Sequence, residues 1–231
     1  MAIGGRAIIA AAAFLVGIAA PALAETRPVV VELFTSQGCS SCPPADALLG
    51  ELARRPDVIA LGYHIDYWDG LGWKDPLSSP EATARQRNYA RQFGHGQVYT
   101  PQIVIDGTDE AIGSDRSAVN SLLKQAKSEA IAPVMFAENG RKVAVGAGHG
   151  NGKILLVRLA RQRTTRVDAG ENAHRTLADA NGVEALTVLG EWQGTMVDFP
   201  VEPPSPGEGL AVLVQAPDGR VLGAASLFAP G

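Results

Sequence analysis

The chain has 231 residues, 46% of them hydrophobic and 19% charged, with a net charge of −4. That composition excludes a disordered or collagen-like chain, and the length gives room for a real core in one large domain or two small ones. Two cysteines exclude a disulfide scaffold and a four-cysteine zinc or iron–sulfur centre, and the slightly acidic balance gives no reason to expect nucleic acid or an anionic membrane as a partner.

The chain opens as a targeting segment. Arg6 precedes an apolar run, Ala7 to Ala20; Pro21 breaks it, and Ala22-Leu23-Ala24 is a small-x-small cleavage site. The run falls short of the ~20 residues of an ordinary membrane span. Residues 1–24 are therefore expected to be a signal peptide cut after Ala24. The rest is expected to be periplasmic or secreted, with no membrane attachment, in an oxidising compartment that favours disulfides.

Val29 to Thr35 is β-branched and apolar, and predicts a buried strand. Beyond Cys42, Ala45, Leu48, Leu49 and Leu52 recur at helical spacing, with Pro43 and Pro44 in the first turn and Pro56 as the stop. Asp57 to Ile65 predicts a second strand, and a long connection with Tyr67, Trp68 and Trp73 follows. Pro80 to Phe93 predicts a polar helix carrying Arg85, and Thr100 to Ile105 a third strand. Asp106-Gly107 is a hairpin signal leading to a short strand near Ala111. Ser114 is expected to cap a last helix whose Val119, Leu122 and Leu123 face inward. The order β-α-β-α-β-β-α implies a mixed sheet with helices on it.

The texture changes near Ala130. Short alternating runs follow, punctuated by Asn139-Gly140, Asn151-Gly152, Asn181-Gly182 and Asp218-Gly219, each a turn signal. Seven strands are predicted, at residues 134–137, 142–147, 154–160, 185–189, 195–199, 210–215 and 222–227. They suggest an all-β, sandwich-like second domain over residues 131–231, after an α/β domain over 25–130.

Cys39-Ser40-Ser41-Cys42 falls where the first strand gives way to the first helix. A thiol at a helix N-terminus meets unpaired N–H groups and the positive end of the dipole, and both favour the nucleophilic thiolate. The spacing lets the second thiol resolve a mixed disulfide made by the first, with Cys39 as the exposed nucleophile and Cys42 as the resolving thiol. An inert local disulfide and a metal half-site are the competing readings of the same pair.

Strand, Cys-x-x-Cys and helix, followed by Thr100-Pro101 opening a strand hairpin, resemble the thioredoxin fold over about Pro28 to Ala130. The resemblance implies a cis proline at Pro101 lying against the cysteines, with Thr100 and Pro101 presenting the substrate backbone. More specifically, the run Glu32 to Asp46 (ELFTSQGCSSCPPAD), Tyr63 to Trp68 (YHIDYW) and Tyr99 to Gln102 (YTPQ) resemble the secreted bacterial family catalogued as domain of unknown function 1223. That resemblance runs the length of the chain beyond the leader, and its name implies no substrate.

Other residues extend the site or belong to ordinary packing. Glu32 alternates with Val30 and Phe34 in an apolar strand, where a carboxylate is costly unless protonated or paired. It is expected either to move protons to and from Cys42 or to reach solvent at the strand end. Trp68, with Tyr67 and Trp73, either lines a peptide groove or covers a core edge. His64, His95, His149 and His174 have no ligand-type spacing. Arg158, Arg161, Arg163 and Arg166 are expected on a solvated strand face, and Gly170 to His174 breaks the β pattern without assignable chemistry. The expectation is a thiol–disulfide oxidoreductase acting on protein thiols or disulfides together with a separate redox partner. It needs no cofactor, since the dithiol carries the electrons itself. The alternatives are a copper-handling protein using the same thiols with one His, and a non-catalytic binding module with a structural disulfide.

Overall fold

The computed structural model describes residues 1, 26–126 and 129–230; apart from Met1, the leader expected at residues 1–24 lies outside them. The elements run β1 (Val29–Thr35), α1 (Pro43–Leu52), β2 (Val58–His64), α2 (Pro80–Gln92), β3 (Gln102–Ile105), β4 (Asp109–Ile112), α3 (Arg116–Gln125), β5 (Val134–Ala137), β6 (Lys142–Val145), β7 (Gly152–Arg166), β8 (Thr176–Trp192), β9 (Val197–Pro200), β10 (Glu208–Gln215) and β11 (Val221–Phe228). The protein is α/β, with one mixed eight-stranded sheet in the order β11-β10-β7-β8-β2-β1-β3-β4 and a three-stranded sheet β5-β6-β9. Among the described residues no helix is long and apolar enough to cross a membrane.

β1 is buried along its whole length because it is covered on both faces. Val31 and Leu33 pack with Leu48, Leu49 and Leu52 of α1 and Val119 of α3, while Val30 and Phe34 pack with Tyr63, Tyr89 and the middle of β7 and β10. This two-sided burial is what its unbroken β-branched run implies. β1 runs parallel to β2 and antiparallel to β3. Pro43 and Pro44 occupy the start of α1, and Ser79 caps α2 by accepting the Ala82 N–H at 3.1 Å, with Pro80 beside it. The cap of α3 is Asp115, one residue later than expected, because its carboxylate reaches the Ser117 and Ala118 N–H groups at 3.1 and 3.0 Å.

The chain after residue 130 contributes to both sheets. β7, β8, β10 and β11 form an antiparallel set, and β8 joins it to the first half by pairing in parallel with β2 at Gly62 and Gly182. Asn181-Gly182, expected to be a turn, is therefore inside a strand. Asn181 adopts a left-handed φ of 49°, and its Nδ2 donates to the Ala60 carbonyl at 3.0 Å. The tolerance of Asn for that conformation, which suits turns, here serves an irregularity where two strand systems meet. The small sheet packs on the far end of the large one around Trp192, whose Nε1 donates to the Gly146 carbonyl at 3.0 Å.

The large sheet curls until its two edge hairpins touch. A Cβ on Gly107, in the β3–β4 turn, would lie 1.9 Å from the Gly219 carbonyl oxygen in the β10–β11 turn. Arg27 fastens the junction, donating to Asp106 Oδ1 at 2.8 Å and to the Val221 carbonyl at 2.9 Å. The long antiparallel pair β7–β8 extends past the sheet, and its tip, residues 167–175, reaches back to the start of α1.

Candidate functional site

Cys39 and Cys42 form a disulfide with 5.4 Å between their Cα atoms, and Cys42 occupies the N-cap of α1. Both residues are completely buried, which corrects the expectation that Cys39 is exposed. Ser40 and Ser41 take the outward positions of the turn instead. The Cys39 sulfur lies 3.3 Å from Ser41 Oγ and accepts the Thr100 hydroxyl at 3.4 Å. Thr100 Oγ1 in turn accepts Trp68 Nε1–H at 2.9 Å. The Thr100–Pro101 peptide is cis. Thus four residues singled out in the sequence, Cys39, Cys42, Thr100 and Trp68, meet at one point with Pro101 beside them, although they derive from three separate loops.

Glu32 is not part of that cluster. It is fully buried, but on the opposite face of β1 from Thr35, the side toward α2. There Arg85 forks onto it, Nη2 to Oε1 at 2.9 Å and Nε to Oε2, and Tyr89 donates its hydroxyl to Oε1 at 2.5 Å. The carboxylate neither reaches solvent nor approaches the sulfurs. It is one half of a buried ion pair, and Gln215 of β10 completes the network through Tyr89 Oη at 2.8 Å.

Another acid, Asp46, lies on the Thr35 side of β1. It stands four residues after Cys42, one helical turn on along the same side of α1. The Thr35 hydroxyl donates to its Oδ1 at 2.7 Å. Burial pushes the Asp46 carboxyl up to about 7, against the opposing pull of His64 and the Thr35 hydrogen bond. His64, at the end of β2, sets its Nδ1 2.7 Å from Asp75 Oδ2 and its Nε2 3.8 Å from Asp179. Burial alone would lower the His64 value, but the Asp75 hydrogen bond and the charges of Asp75, Asp179 and Asp46 outweigh it and raise it to about 9. Asp75 is correspondingly held low by His64 and by the Gln37 and Leu77 N–H groups, which outweigh its burial. Gln37, two residues before Cys39, ties these groups to the disulfide loop: its backbone N–H donates to Asp75 and its Nε2 to Asp179, each at 2.8 Å.

At neutral pH this gives an imidazolium held by the Asp75 carboxylate, beside Asp179, whose carboxyl burial pushes up, and Asp46, near its midpoint one helical turn after Cys42. Such a group can accept and return a proton in the range where a thiol reacts. His64, Asp75 and Asp179 had no spacing to mark them. Asp46 borders the buried stripe of α1 formed by Ala45, Leu48, Leu49 and Leu52, and is itself half-buried. Among the described residues, no group of three or more His, Cys, Asp or Glu is placed to hold a metal ion.

These features define an α/β protein with a buried Cys-x-x-Cys disulfide set against a cis Thr-Pro step. The chain belongs to the family described as protein of unknown function (DUF1223), whose profile matches residues 30–215. It is similar to protein AGR_C_4864 from Agrobacterium tumefaciens, whose crystal structure shares 35% identity and superposes with a TM-score of 0.76 over 88% of this chain and 95% of that one. HBP35 of Porphyromonas gingivalis shares the fold at 15% identity, with a TM-score of 0.56 over 87% of this chain and 75% of that one. No curated protein matches the chain.

Proposed function

We propose that this protein is a thiol–disulfide oxidoreductase of an exported compartment. Residues 25–130 provide a thioredoxin-like unit and residues 131–231 a β-rich appendage. The observation that carries the reading is the hydrogen bond from Thr100, in the cis Thr100–Pro101 step, to the Cys39 sulfur. A structural disulfide needs no such partner, whereas a donor on the attacking sulfur stabilises its thiolate.

In the oxidised protein the buried pair is first uncovered, and a substrate thiolate attacks the Cys39 sulfur. The Cys39–Cys42 bond breaks, and Cys42 leaves as a thiolate that takes a proton from Asp46. A second substrate thiolate then displaces Cys39, so the substrate disulfide forms and two electrons remain on the Cys39–Cys42 pair. In the reverse direction Asp46 takes the proton of Cys42 as its sulfur attacks the mixed disulfide. Trp68 orders the Thr100 hydroxyl, and a polypeptide substrate lies along the Thr100–Pro101 backbone.

The test is exchange with a dithiol peptide and with glutathione by the mature protein. Cys39→Ser is expected to abolish exchange and Cys42→Ser to accumulate mixed disulfides at Cys39. A potential near about −120 mV makes the protein a disulfide donor, and one near about −270 mV a reductant. A disulfide that no thiol exchanges with in the folded protein refutes the reading and leaves a structural staple.

A further inference from the structure

The segment Gly170 to His174, which breaks the strand pattern, touches the redox loop. Asn172 is fully buried, and its Nδ2 donates to the Gln37 and Cys39 carbonyls at 3.0 and 2.9 Å. Its Oδ1 accepts Arg175 Nη1 at 2.8 Å, so the carboxamide is fixed from both ends. Gly170 permits the approach: it has a φ of 74°, and a Cβ there would lie 3.0 Å from the Trp73 Cβ. With the tip anchored in this way, Glu171 Oε2 accepts the backbone N–H of Ser40, the residue after Cys39, at 2.9 Å.

We propose that Glu171 is a residue that sets the electron affinity of the Cys39–Cys42 pair, by holding a negative charge beside Cys39 where the helix N-terminus would otherwise favour its thiolate. The proposal rests on the thiol–disulfide reading above and names a regulator of that same site. The Ser40 hydrogen bond holds the Glu171 carboxyl below its ordinary value, so the charge persists through the range in which thiols ionise. In the disulfide the sulfurs carry no charge, and Glu171 repels nothing. Reduction by two glutathione molecules breaks the sulfur–sulfur bond and forms glutathione disulfide. The two electrons pass to the protein sulfurs, the two glutathione protons pass to the thiols, and one proton is released when Cys39 ionises. The Glu171 charge opposes that last ionisation alone. It therefore raises the Cys39 thiol and draws the equilibrium toward the disulfide.

The Glu171→Gln variant separates charge from contact, because Gln keeps an oxygen for the Ser40 N–H. The equilibrium of the full mature protein against glutathione is measured from pH 5 to 8.5, with the Cys39 pKa taken from the pH dependence of alkylation. At pH 8, E171Q is expected to be about two- to fivefold more reduced, the range of an exposed charge near a helix end. That is an upward shift of roughly 10–20 mV for a two-electron couple. Its Cys39 pKa should fall, the gap should shrink with added salt, and it should close below the Cys39 pKa. Equal equilibria at pH 8 overturn the proposal, as does a gap that persists below the Cys39 pKa, which marks a merely structural change. A wild type that turns over no peptide while E171Q still shifts the glutathione equilibrium refutes the oxidoreductase reading and leaves the role of Glu171 standing.

Discussion

Asp46→Asn is the sharpest perturbation of the site, because it removes a proton-carrying group and leaves an oxygen for the Thr35 hydroxyl. The folded protein holds the Asp46 carboxyl at about 7, against 3.8 for the ordinary group. With the folded value above the unfolded one, the folded state is favoured while the carboxyl is protonated, and stability is lost as pH rises from about 4 to about 7. At about 1.4 kcal/mol per pH unit the full loss is about 4 kcal/mol. The value of about 7 already contains the attraction of the His64 imidazolium, so a gain of about 4 kcal/mol is expected for D46N at pH 8. Near pH 4 the variant and the wild type should coincide. Urea unfolding of the oxidised proteins between pH 4 and 8 measures this directly, and rapid mixing with a dithiol peptide measures the chemistry. Loss of the base is expected to slow attack by Cys42 on the mixed disulfide about a hundredfold or more at pH 7. Stability curves that run parallel across the pH range would show that Asp46 ionises as an ordinary carboxyl. An unchanged rate of attack would remove it from the mechanism.

Glu32→Gln strands the buried Arg85 charge, and a loss of about 3–5 kcal/mol is expected in urea unfolding, with the glutathione equilibrium of the cysteines unchanged; a shifted equilibrium would connect the two faces of β1. Thr100→Val removes the donor to the Cys39 sulfur and leaves Trp68 Nε1 without its acceptor. The Cys39 pKa should rise and alkylation at pH 7 should slow several-fold, and an unchanged profile would mean that the hydroxyl does not follow the sulfur into the reduced state. His64→Gln leaves Asp75 and Asp179 facing each other without a cation. Since the His64 value is raised to about 9 from 6.5, the stability it contributes is present below about pH 6.5 and lost as pH climbs through about 9. The gap between wild type and variant should therefore narrow between about pH 6.5 and about pH 9 and level off beyond it, and a constant gap in urea unfolding would refute a charged His64.

The elements of the α/β half were legible because each is set by local pattern. The run of β1 is apolar on both faces because α1 covers one and α2 the other, and the prolines at residues 43, 44 and 80 mark helix starts. The link between the halves was not legible. Asn181-Gly182 carries the chemistry of a turn, and only the arrival of β2 alongside turns it into an irregular step within β8. Likewise β7 and β8 run well past the predicted strands, since their outer residues alternate weakly and are held chiefly by each other.

For the site, the division falls between groups whose chemistry lies in the local chain and groups whose chemistry lies in a partner. The cysteines announce themselves by spacing, and Thr100-Pro101 by a proline set before an apolar strand. Glu32 was recognisable as a buried acid, but Arg85, which decides its role, stands in a helix with several arginines and nothing to single it out. Asp46 shows the converse. Its position one helical turn after Cys42 was visible, yet its meaning depends on His64, Asp75 and Asp179, which the fold gathers from β2, the following loop and β8. The tip of β7–β8 extends the same logic. Asn172 reaches the Cys39 carbonyl because β8 pairs with β2 at Gly182 and so brings the tip alongside. The strand pair that joins the halves is thus also what delivers polar groups to the disulfide, and β-rich residues beyond 130 belong to the environment of Cys39 as much as the helix that carries Cys42.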